Sequence, residues 1–98
     1  MSFIDNYDFE HLSNESEKMV LEELGRQLET RKNICLCNDC VLDMAAMALN
    51  NVRPLYRVSL LGTIYVSRAM DEPGYAKEIK DSVSKAIEKV GKNPSHEK

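Results

Sequence analysis

Cys35-Leu36-Cys37-Asn38-Asp39-Cys40, running on through Val41-Leu42-Asp43-Met44-Ala45-Ala46-Met47-Ala48-Leu49-Asn50-Asn51, is the stretch that decides how this chain folds. It holds all three cysteines of the 98 residues within six positions and leads directly into the most apolar part of the sequence. Thiolates at such spacings converge on one soft metal ion, because zinc takes them at roughly 2.3 Å and a tight turn brings the sulfurs together. Zinc on Cys35, Cys37 and Cys40 is therefore the first expectation. Two alternatives stand beside it: a redox pair at Cys37 and Cys40 with one spare thiol, and three reduced cysteines that only pack. A thioredoxin-like pair needs a preceding strand in a βαβ setting, and the sequence shows no such pattern.

A structural zinc site closes with four ligands, so three cysteines leave one position open. His11, His96, Asp39 or a group from a second chain would fill it. A catalytic zinc would keep water there and need a base beside it, and no zinc-peptidase helix motif with paired histidines occurs. Nor is there a nucleophile-base pair, a phosphate-cradling glycine loop or a pair of catalytic carboxylates. The expectation is a protein that is not an enzyme.

The length allows one domain, and a domain this small buries only about 60 to 65% of its unfolded surface. A bound metal or a partner subunit would relieve that shortage. The net charge of −3 argues against direct nucleic-acid binding, which rests on basic surface that displaces counterions. Without a long apolar run, neither a signal peptide nor a membrane span is indicated, and the expected location is cytoplasmic.

Helix signals dominate the rest. Asn14 with Glu17 three residues on reads as a capping-box start, and Met19, Val20, Leu24 and Leu28 share one helical face, which predicts a helix over 15–32. The segment 39–50 is apolar on almost every side and needs cover all round, which a domain with few helices supplies best by dimerising. Asn50 and Asn51 tolerate the left-handed conformation that ends helices. Pro54 then breaks the pattern and holds Arg53 extended. Around 56–67, β-branched and aromatic residues surround Gly62, so a short strand or hairpin competes with helix. In the last helix Ile79, Val83, Ile87 and Val90 recur with Ala76 and Ala86 flanking the same face, Asp81 pairs with Lys85, and Gly91 caps the end. The expected division is an arm over 1–14, with Phe3, Ile4, Tyr7 and Phe9 as a helical lead or packed extension, a helical domain over 15–91 and a disordered tail over 92–98. The fold class is thus mainly α, a small compact helical domain with a short strand or hairpin, homodimeric.

The run Cys35-x-Cys37-x-x-Cys40, with Asp43, Ala45, Ala48-Leu49-Asn50, Pro54-Leu55-Tyr56 and Gly62 following at their spacings, resembles the bacterial late-competence ComFB family over about residues 15–91. The chain departs from it at Arg53, where many relatives place proline, and at Ser67-Arg68, where the basic residue stands at a slightly different spacing. The resemblance implies a small, mostly helical homodimer with the cysteines as zinc ligands. It also implies a receptor for a cyclic dinucleotide second messenger, c-di-GMP or c-di-AMP, acting on a downstream protein in competence or motility.

Such a ligand offers two phosphates and two flat bases, and Arg53, Tyr56, Arg57, Tyr65 and Arg68 form the one region where arginines and tyrosines interleave. A two-fold dimer would present that set twice, matching the ligand's own near symmetry. The plainer reading is that the tyrosines pack at a subunit interface while the arginines stay solvated or pair with carboxylates. The corresponding alternative for the whole protein is a zinc-stabilised adaptor acting through protein contacts.

Overall fold

The computed structural model of the chain describes residues 2–58 and 60–93, the side chains of Leu60, Leu61 and Tyr65 excepted. Two 3-10 turns, Phe3–Asn6 and Phe9–His11, lead into β1 (Ser13–Asn14) and α1 (Glu15–Glu29). Then come α2 (Asn38–Leu49), β2 (Tyr56–Arg57), α3 (Leu60–Met70) and α4 (Pro73–Lys92). The mainly α fold with a short strand is the expected one. The strand is β2, which pairs antiparallel with β1, setting Ser13 opposite Arg57 and Asn14 opposite Tyr56. From Leu60 onward, the window read as strand or hairpin is helix instead. Val66 and Ala69, three apart on one face of α3, are buried, and that burial overrides the β preference of the local composition.

α4 is the central element, against which α1 and α2 both pack. Its stripe of Tyr75, Ile79, Val83, Ala86, Ile87 and Val90 is buried along its whole length. Ala76, expected on that face, is exposed; Tyr75, four residues before Ile79, takes the place. α1 contributes Val20 and Leu24 to the same core, and α2 contributes Cys40, Met44, Ala45 and Ala48. The outer side of α2 has no cover among the described residues: Leu42 is 59% exposed and Ala46 is exposed.

The helix ends differ from the sequence reading in physically simple ways. α1 stops at Glu29, three residues early, where Thr30 turns back and its Oγ1 donates to the Gln27 carbonyl at 3.0 Å. The left-handed residue is Asn33, with φ 61°, rather than Asn50 or Asn51. Asn50 stays right-handed at φ −75°, and the Asn51 amide closes α2 by donating to the Met47 carbonyl at 2.8 Å. Gly91 lies inside α4, which runs on to Lys92. Its lack of a side chain serves packing, since a Cβ there would stand 3.1 Å from Ile34 Cδ1. Asp81 accepts from Lys77 at 2.8 Å, and Lys85, which also lines a groove toward α2, acts on the same carboxylate through its charge. The expected tail over 92–98, with His96, falls outside the described residues beyond Asn93. Among the described residues, no helix is long and apolar enough to cross a membrane.

The start of α1 is stitched to the segment that follows α2. Asn14 Oδ1 accepts from the backbone N–H of Ser16 at 3.1 Å and from that of Leu55 at 2.7 Å. It is thereby the N-cap of α1 and a clamp on the connector at once. Beneath it Ser16, fully buried, donates through Oγ to the Arg53 carbonyl. The Tyr75 hydroxyl lies 2.8 Å from the same Oγ. Since the serine proton is committed to Arg53, Tyr75 is the donor of the second bond. The chain Tyr75 to Ser16 to Arg53 satisfies three polar groups in an otherwise apolar interior.

Ser16→Ala strands the buried Tyr75 hydroxyl and leaves the partly buried Arg53 carbonyl without its donor, and should cost about 1 to 3 kcal/mol, whereas Tyr75→Phe removes only the outer donor and should cost about 0.5 to 1.5 kcal/mol. Urea unfolding of the two variants checks the order. Equal losses would contradict the donor direction assigned here.

Candidate metal centre

The cysteine loop is positioned at both ends. On its N-terminal side, Asn33 reverses the chain in a conformation that asparagine tolerates better than most residues. Ile34 then fits against the bare backbone of Gly91 on α4. On the C-terminal side, Cys37 is the N-cap of α2, its sulfur accepting from the backbone N–H of Cys40 at 3.4 Å. Cys40 is buried at 1% exposure, and Cys35 and Cys37 are half-buried against the core.

This arrangement brings the three sulfurs within 4.8 Å of one another. Thiolates sharing a tetrahedral ion at roughly 2.3 Å sit about 3.8 Å apart, so small side-chain adjustments close the set on a metal. The N-terminus of α2 adds partial positive charge, which favours the thiolate form that binds metals. Three convergent soft donors on a half-buried loop therefore suit a thiophilic ion. Among the described residues the cluster contains no fourth His, Cys, Asp or Glu: neither Asp39 nor His11 joins it. Asp39 sits exposed in the first turn of α2. The Cys37-x-x-Cys40 pair follows a loop, not the strand that a thioredoxin-like motif requires.

The arginine and tyrosine set is distributed rather than gathered. Arg53 is held by α4: its backbone N–H donates to Glu78 at 2.7 Å, and its guanidinium contacts Glu78 at 3.2 Å and Glu72 at 3.4 Å. It also lies 5.3 Å over the ring of Tyr75. Partial desolvation works against its charge, but the charges and hydrogen bonds of Glu78 and Glu72 prevail and hold its pKa above the usual guanidinium value. Arg57 Nε donates to Glu15 at 3.0 Å across the small sheet. Tyr56, next to it on β2 and so facing the opposite side, is 55% exposed. It lines an open groove with Leu12, Lys18 and Leu21 of the α1 side. Arg68 is exposed in the last turn of α3 and meets no carboxylate among the described residues. Tyr65 lies on α3 with its side chain outside the described atoms.

Sequence reasoning missed Glu72, Tyr75 and Glu78, the groups that engage Arg53. Tyr75 was detectable as the fourth-residue continuation of the Ile79, Val83 and Ile87 stripe. The two glutamates carry no comparable signal, because solvated acids on a helix are common.

Comparison with known proteins gives a consistent placement. The family model described as "Late competence development protein ComFB" matches residues 13–94. No curated protein matches the chain. Among solved structures, that of the late competence protein ComFB from Bacillus subtilis superposes with a TM-score of 0.65. It is 24% identical, and the match covers 86% of this chain and 94% of that one. The likeness extends to the fold.

Cobalt(II) serves as a spectroscopic probe of the cysteine cluster. The reduced protein should develop thiolate-to-cobalt absorbance saturating near one equivalent per chain, and Cys37→Ser should weaken it strongly by removing one of three soft donors. Saturation without sulfur-dependent absorbance would show that the cysteines do not act together.

Proposed function

The chain belongs to the ComFB family of late competence development proteins, and from that premise we propose a non-enzymatic regulatory receptor that binds a cyclic dinucleotide as a zinc-stabilised homodimer. Zinc sits on Cys35, Cys37 and Cys40. Its role is structural: it ties the loop before α2 to the start of that helix and so adds metal-binding free energy to folding. The second subunit covers the apolar surface a single chain leaves bare, notably Leu36, Leu42, Val58 and Ile64, all of them exposed.

The observation that carries the receptor reading is the exposed Tyr56 ring on β2, with Arg57 on the other side of the strand and the exposed Arg68 on the helix that follows. Tyr56 offers a stacking face for a purine. Among the described residues Arg68 meets no carboxylate and Arg57 gives one N–H to Glu15, which leaves donors of both for a phosphate. Tyr65 belongs to the same helix as Arg68. Arg53, already engaged by Glu72, Glu78 and Tyr75, contributes by fixing the connector that presents Tyr56. Ligand binding at the dimer then shifts affinity for a downstream protein by favouring one of two states. The c-di-GMP and c-di-AMP forms share the required chemistry and are the two candidates.

A second reading rests on the cysteine cluster with the bare apolar face of α2: a zinc-held adaptor whose output is a protein contact alone. Calorimetric titration of the zinc-loaded protein with c-di-GMP and c-di-AMP separates the two. Arg57→Ala and Arg68→Ala should each weaken binding about tenfold or more, in line with roughly 1.5 to 3 kcal/mol for a charge-assisted contact, with metal content unchanged. Tyr56→Ala should weaken it as well, while Tyr56→Phe keeps the ring and should be tolerated. Absence of any heat or thermal shift with either nucleotide at high micromolar concentration leaves the adaptor.

A further inference from the structure

Residues 2–12 precede the span 13–94 matched by the family model, and their chemistry is distinctive. Phe3, Ile4, Tyr7, Phe9 and Leu12 alternate with Asp5, Asp8 and Glu10, and the segment has no lysine or arginine. None of these apolar side chains is buried: Phe3 is 67% exposed, Ile4 65%, Tyr7 59%, Phe9 44% and Leu12 45%. The rings of Phe3, Tyr7 and Phe9 gather on one another with centroids 4.9 to 6.0 Å apart. The arm thus presents one aromatic knob bordered by carboxylates, on the water side of the molecule.

A complementary surface lies between α2 and α4. Two adjoining depressions of about 430 and 750 Å³ share Met47 and Lys89 in their walls. Ala46, Met47, Ala86 and Val90 supply their apolar part, while Lys85, Lys89 and Lys92 line them with ammonium groups. Those three lysines are exposed and form no ion pair among the described residues. Asp43 is the one carboxylate in the lining. The trough follows α4 from Ser82 to Asn93, about 16 Å at the helical rise.

We propose that the acidic aromatic arm of one copy docks in the α2–α4 groove of a second copy. The rings would seat on Met47, whose flexible thioether adapts to aromatic partners, while Asp5, Asp8 and Glu10 would meet Lys85, Lys89 and Lys92. Opposite charges on two apolar surfaces of one chain are what select a second copy as the occupant. The arm leaves the fold just before Ser16, which bonds Tyr75 at the start of α4, and none of its residues lines the groove. This inference takes its second copy from the proposed homodimer but does not depend on nucleotide binding.

The test is a photocrosslink in the full-length protein with Phe9→p-benzoylphenylalanine, in an equal mixture of ¹⁴N- and ¹⁵N-labelled chains. Docking predicts mass-spectrometric links from the arm to peptides carrying Met47 or Ala86, joining light chains to heavy ones. Lys85→Glu with Lys89→Glu should lower their yield at least about fivefold, and so should high salt, because exposed ion pairs are screened. Should that double variant fail to fold by circular dichroism, Asp5→Asn with Asp8→Asn removes the same attraction from the arm side. Links confined within one chain, links elsewhere, or a yield indifferent to charge and salt would overturn the proposal. Sedimentation of the same samples separates the claims: a dimer without these links overturns arm docking alone, and a monomer at micromolar concentration overturns the proposed dimer as well.

Discussion

A shortage of interior is the constraint on which the rest of this structure depends. α4 carries the longest buried stripe, from Tyr75 to Val90, and α1 and α2 both spend their buried faces on it. The molecule measures 44 × 41 × 18 Å, so its thin dimension is less than two helix diameters of about 10 to 12 Å each. In such a body each helix has an outer side that no third layer covers. The exposed Leu42 of α2 and Ile64 of α3 follow from that geometry, as does the need for ties that do not rely on apolar volume.

Two such ties are built from polar or soft groups. One is the buried relay from Tyr75 through Ser16 to the Arg53 carbonyl, capped by Asn14 and braced outside by Glu72 and Glu78 on Arg53. It fastens the start of α1 and the connector after α2 to the first turn of α4. The other is the cysteine loop at the opposite end of α2, seated on α4 through Ile34 and Gly91. A metal there would fix the loop to the helix that follows it, as one ion can replace the packing of several side chains. Between the two ties runs the groove lined by Met47 and Lys89, and away from them lie the surfaces proposed for ligand and partner.

Much of this was legible in the sequence wherever a local rule governs. Asn14 announced a helix start and caps one; the four-residue recurrence of Ile79, Val83, Ile87 and Val90 announced the central buried stripe; the cysteine spacing announced convergent sulfurs. The errors occurred where a distant contact decides. Gly91 looks like a cap until Ile34, far away in sequence, is seen to need its space. The residues after Arg57 look like a hairpin, but the partner of β2 is β1, and α3 forms because Val66 and Ala69 find burial. Arg53 looks the same as Arg57 and Arg68 in the sequence, and only the fold brings Glu72, the N-cap of α4, and Glu78 within it onto its guanidinium. No periodicity records which exposed glutamates will meet an arginine.

The central claim is that three cysteine sulfurs jointly hold one zinc ion at the N-terminus of α2. X-ray absorption at the zinc edge of the purified, reduced protein tests it most directly, since the fine structure counts sulfur neighbours. The account predicts about three sulfurs near 2.3 Å with one lighter ligand completing the shell. A shell of nitrogen and oxygen alone, or folded protein without bound zinc, would contradict it.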